Sequence, residues 1–209
     1  MPMRGHLMLI PTDPIGRNAV ADPYAAYLLY DLFTGIDATH VHDHTPNKAP
    51  VGSVWADVDG ANAWTINSNK ATCSGGPDQS IEIDTGAANL SIVLASVVPG
   101  NYFAILARGD ATSLDYVMGQ IQTAENLLQI AYHDGSYHAL ANVAYVVDPT
   151  DTISNFEFRV NGTALEIRID GVSKVSTISS YNLTNTQVGL YGYNESGVCT
   201  VDGLSVTAL

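Results

Sequence analysis

Three sets of side chains in this sequence could do chemistry. Glu82-Ile83-Asp84 places two carboxylates two positions apart, so on a strand both point to one face. Paired carboxylates carry out glycoside hydrolysis when they flank the scissile bond. His40-Val41-His42-Asp43-His44 alternates imidazoles, which on a strand would share a face and could hold zinc or nickel. The same segment runs into Thr45-Pro46-Asn47, a loop signal; the competing reading is a polar loop with His44 packed beside Pro46. Tyr181, Tyr191 and Tyr193, with Asn182 and Asn194 nearby, offer aromatic faces for sugar rings and amides for a polar rim. Tyr191 and Tyr193 share a sheet face by the period of two. The alternative is that these tyrosines cap the edge of a core. No Ser/His/Asp set, glycine-rich phosphate loop or nucleotide signature is present.

The elements that must position these groups are strands. From residue 156 onward the chain alternates apolar and polar residues in short runs, with Asn161-Gly162 and Asp170-Gly171 between them. Such dipeptides supply the positive φ of tight hairpin turns, so residues 156–209 are predicted to form an antiparallel meander. Earlier strands are predicted near 28–33, 80–84, 89–98, 102–108, 116–121, 127–132 and 136–143, punctuated by Gly86, Pro99-Gly100, Gly109-Asp110 and Asp134-Gly135. The total, roughly eleven to thirteen short strands, favours an all-β sandwich. Residues 21–30 read either as a short helix capped by Asp22 or as the run-in to the first strand. A turn is expected near 123–126. Trp55 and Trp64 are assigned to the core, and His133 and His138 to solvent beside the Asp134-Gly135 turn.

Composition excludes some partners. Eight Lys and Arg stand against 21 Asp and Glu, for a net charge of −13, and no basic cluster tracks a nucleic-acid backbone. No apolar run approaches a membrane span, and the patch at 7–10 is too short for a signal-peptide core. Cys73 and Cys199 have no metal-type spacing; they either bridge across neighbouring strands or remain two buried thiols. Pro2, Pro11, Pro14 and Pro23 exclude a long N-terminal helix, and Gly5 and Gly16 break any strand. Residues 1–24 are therefore expected as an extended arm, and 25–209 as the sandwich. Met1, Pro2, Leu9, Ile10, Pro11, Pro14 and Ile15 are the arm residues expected to grip neighbouring subunits.

In order along the chain, Asp31-x-Phe33, His44-x-Pro46, Trp55, Trp64-x-Ile66-Asn67, Glu157-Phe158-Arg159-Val160-x-Gly162, Ile169-Asp170-Gly171, Val188-Gly189-Leu190 and Val201-Asp202-Gly203-Leu204-x-Val206 form one pattern. It resembles the concanavalin A-like lectin/glucanase superfamily in its laminin-G-like form, over roughly residues 28–209. The resemblance implies a two-sheet antiparallel jelly roll with its ends close together, binding glycans or proteins. Glucanases of this kind carry a Glu-x-Asp motif with a further Glu; here Thr85-Gly86-Ala87 follows and that Glu is absent, so no enzyme is expected. The resemblance admits a structural calcium, held by Asp31 and Asp202 if first and last strands pair. Arm, charge and the lack of a signal-peptide core lead to the expectation of a virion structural protein. That would be a phage capsid decoration, cement or tail-associated protein, made in the host cytoplasm. Its partners would be its own copies, as a trimer or other closed homo-oligomer, and a major capsid or other virion protein. The alternative is a lectin-like module for surface glycans, with Tyr181, Tyr191, Tyr193 and Asn194 as its site.

Overall fold

The structure is a computed structural model that describes residues 22–49, 53–60, 62–110 and 112–209, with the side chains of 75, 77, 78 and 194–197 also outside the description. The arm residues Met1, Pro2, Leu9, Ile10, Pro11, Pro14 and Ile15 thus lie outside the described residues. Thirteen strands follow one another: β1 (Leu29–Asp31), β2 (Ala56–Asp57), β3 (Trp64–Asn67), β4 (Lys70–Asp84), β5 (Leu90–Val98), β6 (Tyr102–Gly109) and β7 (Asp115–Gln122). Then come β8 (Leu127–Asp134), β9 (Tyr137–Ala144), β10 (Ile153–Asn161), β11 (Ala164–Ile169), β12 (Val172–Ile178) and β13 (Gln187–Ala208). All pairings among them are antiparallel. Residues 23–26 form a turn, not a helix, before β1.

Pairing runs β12-β11-β10-β5-β13-β6-β7-β8-β9. The path folds into two layers because β13 changes partners. Its first half, through Gly192, lies between β4 and β6, and its second half pairs β5. The first layer is therefore β9-β8-β7-β6-β13-β4-β2, and the second is β12-β11-β10-β5-β13 with β1, β3 and the start of β4 beyond. The predicted 156–209 meander is right for β10, β11 and β12 and needs correction after them. The polar stretch 179–186 carries the chain away from β12, and β13 enters the middle of the sandwich. Its buried Val188, Leu190, Cys199, Val201, Leu204 and Val206 fit that central place.

Alternation sends Phe103, Ile105 and Ala107 of β6 and Phe156, Phe158 and Val160 of β10 into one shared core. Phe103 and Phe156 meet edge-on across it, with centroids 6.3 Å apart. Gly119 of β7 is the thin spot: a Cβ there would stand 2.7 Å from Phe158 of the facing layer. Hairpin β11–β12 turns on Asp170-Gly171, both with positive φ, as the sequence predicted; in β10–β11 only Gly162 of the expected pair has positive φ, and Asn161 stays in the strand opposite Ala164. The first and last strands pair, with Leu29 opposite Val206, so the start and end of the sandwich adjoin.

The residues that carried the family resemblance converge in this core. Asp31 is fully buried, and both its oxygens are engaged. Oδ2 accepts the Trp55 indole N–H at 2.9 Å; Oδ1 accepts the Phe33 backbone N–H at 2.8 Å and lies 2.8 Å from His44 Nε2. Trp55 and Trp64 are both 1% exposed, as expected for core residues.

Candidate functional site

The outer face of the first layer, turned away from the core, is unusually aromatic and amide-rich. Register builds it row by row. One row runs Ser80, Tyr191, Ala104, Gln120, Gln129 across β4, β13, β6, β7 and β8. The next holds Tyr102 and Gln122. On the other side lie Leu106 and Met118, then Tyr116 opposite His133, itself opposite Tyr137. Residues directly opposite across antiparallel strands share a face, so these side chains meet although they are far apart in sequence. Ala104, Leu106, Tyr116, Met118 and Ala131 form a small second apolar cluster, flanked by Tyr102, Leu114 and Tyr191.

Two adjoining hollows lie on this face. One, of about 200 Å³, is lined by Ser80, Tyr102, Leu114, Tyr116, Met118, His133, Tyr137 and Tyr191. The other, of about 340 Å³, is lined by Tyr102, Gln122, Glu125, Tyr137, Tyr191 and Tyr193. Tyr102 meets Tyr191 and Tyr193 edge-on at 5.6 and 6.4 Å, and Tyr116 stacks on His133 at 5.6 Å. Beneath them runs a polar network. Gln120 Nε2 donates to the Tyr137 hydroxyl, which donates to Gln129 Oε1, and Gln122 Nε2 also reaches Gln129 Oε1 at 3.0 Å. The Tyr102 hydroxyl donates to Met118 Sδ at 3.7 Å, and burial is the main force raising the Tyr102 and Tyr137 phenol pKa values above the ordinary 10.0. Both therefore remain neutral hydrogen-bonding groups at physiological pH.

Glu82 also lies on this face, one row beyond Ser80, but it is fully buried. Gly109 and Gly189 make room for it: a Cβ at Gly109 would fall 2.1 Å from its Oε2, and one at Gly189 would fall 2.8 Å from its Cγ. Burial first, and the Asp110 charge second, raise its pKa from 4.5 to about 8. Its sequence partner Asp84 is tied to the Thr186 hydroxyl at 2.7 Å and the Gly86 N–H at 2.8 Å.

The comparisons place this architecture. No family model and no curated protein matches the sequence. Among solved structures, carbohydrate-binding module CBM66 from Bacillus subtilis superposes with a TM-score of 0.66 at 12% identity, over 74% of this chain and 95% of that one. A Bacillus licheniformis β-glucanase gives 0.57 at 14% identity, over 86% and 97%. The Emp46p carbohydrate recognition domain gives 0.51 at 9%, over 82% and 95%. The fold is the concanavalin A-like jelly roll.

On this jelly roll the expected site residues separate. Tyr191 and Tyr193 stand together in the face just described. Tyr181 does not join them; it stacks on Tyr132 at 4.6 Å against the core, early in the polar crossing. The Asn194 side chain lies outside the described residues, although its backbone pairs with Gly76. Tyr102, Tyr116, Tyr137 and His133 were not singled out for this site by sequence; His133 was assigned to solvent. Each is the outward residue of a strand whose neighbours face inward, and only the sheet order brings them together.

The metal candidates also resolve. β1 and β13 do pair, but Asp31 aligns with Leu204 while Asp202 aligns with Ser96, and Asp31 is already saturated by protein donors. His40, His42 and His44 do not share a strand face, because residues 41–43 form a 3-10 turn. His40 and His42 stack on each other at 5.2 Å, while His44 turns inward to Asp31. Among the described residues no group of three or more His, Cys, Asp or Glu gathers where a metal ion could sit. Cys73 and Cys199 are directly opposite on β4 and β13, both buried and not joined by a disulfide.

Proposed function

We propose that this chain is a non-catalytic carbohydrate-binding module that receives a glycan on the outer face of its first sheet. The observation that carries this reading is the convergence of Tyr102, Tyr116, Tyr137, Tyr191 and Tyr193 around two adjoining hollows with a glutamine network beneath. Tyrosine rings offer flat apolar faces to the C–H side of a sugar, and amides and phenols match its hydroxyls. The superposed neighbours named for carbohydrate binding support the same reading.

Catalysis is disfavoured by the state of the carboxylates. A glycosidase needs two that reach the glycosidic bond from either side. Glu82 is sealed under Gly109 and Gly189, and Asp84 is spent on the turn that follows it. The virion role expected from the N-terminal segment rests on arm residues outside the described ones, so the sugar-binding reading takes precedence.

The test is a neutral-glycan array followed by titration calorimetry of any hit. Tyr191→Ala and Tyr193→Ala, with unchanged thermal unfolding, should each weaken binding roughly tenfold, as expected for loss of a stacked ring. Unchanged affinity in both would refute the assignment.

A further inference from the structure

We propose that the cleft reads the end of a neutral glycan chain, with the terminal sugar in the smaller hollow and its neighbour in the larger. This deepens, and rests on, the carbohydrate reading above. Tyr102, Tyr137 and Tyr191 line both hollows and so stand where the two adjoin. The inner hollow, about 200 Å³, is the more enclosed. It falls below the roughly 300–1,000 Å³ of pockets that take drug-sized ligands, and so suits a single ring.

The inner hollow is bounded on one side by the turn between β6 and β7, whose Leu114 lines it. Beyond it, Glu82 is fully buried despite facing outward. The turn between β6 and β7 folds back there: Asp110 and Ser113 bridge, and the Leu114 carbonyl bonds His133 Nδ1 at 2.7 Å. Among the described residues the outer hollow is the more open of the two, and Tyr193 and Glu125 flank it. Beneath the hollows, Gln120 is fully buried and its Nε2 donates to the Tyr137 hydroxyl, which fixes that ring in the lining of both.

Charge sets the class of sugar. Among the described residues neither hollow is lined by Lys or Arg and Glu125 is the one formally charged lining residue, and the chain carries −13 overall. Uronic, sulfated or sialylated ends would meet repulsion with no compensating cation.

The probes are linear neutral oligosaccharides of one to six units, and the cyclic form of whichever linkage binds. Affinity should rise several-fold from one unit to two and stay level thereafter, while the cyclic form binds at least roughly tenfold more weakly. Tyr193→Ala should weaken binding of two units and longer roughly tenfold and so erase the gain from the second unit. Leu114→Trp, which fills the inner hollow from its half-exposed rim, should abolish binding of every length without lowering the unfolding temperature. Equal binding of cyclic and linear forms, or affinity that keeps rising through six units, overturns end recognition while leaving carbohydrate binding in place. Absence of any binding on the array overturns the carbohydrate reading itself.

Discussion

At the scale of single residues, two buried carboxylates behave oppositely. Asp31 is buried with its oxygens met by Trp55, Phe33 and His44. Removing it strands an indole N–H and a backbone N–H in the core, so Asp31→Ala should cost roughly 3–5 kcal/mol. Denaturant unfolding measures this, and a loss below about 1 kcal/mol would contradict the network. Glu82 is held protonated by burial, with a pKa raised to about 8. In the unfolded chain it ionises near the ordinary value, so above that pH the unfolded state binds fewer protons than the native one. Its contribution to stability is therefore full at pH 4 and lost as pH climbs towards 8. Glu82→Gln should flatten that slope and be relatively more stable at pH 8 than at pH 5. Thermal unfolding across this range should show the crossover, and parallel curves for the two proteins would exclude it.

At the scale of elements, β13 is the member on which the sandwich depends, since it lies between neighbours in both layers. Its glycines are there for contact: a Cβ at Gly189 would stand 2.3 Å from the Ile81 carbonyl oxygen, backbone that cannot swing aside. Gly189→Ala should lower stability by about 2 kcal/mol or more, seen as a drop in the denaturation midpoint. By contrast Gly135, with open space around it, marks a position where a clash is not the issue, only its positive φ. The strands themselves were legible because alternation is written into each run, as in Phe156, Phe158 and Val160 against Glu157 and Arg159. What could not be read was the partner of each strand. The stretch after β12 carries no signal of which layer it will join, so β13 was placed at the end of a meander. For the same reason Tyr191 and Tyr193 could be paired by their spacing, while Tyr102, Tyr116 and Tyr137, on three other strands, could not be added to them. Tyr181 is close to them in sequence but sits within the crossing at 179–186, before β13 begins, and stacks on Tyr132 instead. The histidine run failed as a strand because a 3-10 turn over residues 41–43 breaks the period of two.

At the scale of the whole molecule, the jelly roll supplies both faces of the problem, a sealed core and an open outer sheet. Every described residue lining the two hollows falls between 80 and 193, on the first layer or its turns. A chain beginning at Asp22 should therefore unfold at the same temperature and bind glycans with the affinity of the full chain, within about twofold. A larger loss, measured by calorimetry, would assign the first 21 residues a part in the site. The two indoles have a separate consequence. Both are sunk in the interior, 1% exposed, and neither lines a hollow, whereas the recognition face is built of phenols. Tryptophan emission from this molecule is accordingly a gauge of unfolding that a docked saccharide leaves unmoved, and the optical trace of occupancy falls in the tyrosine bands.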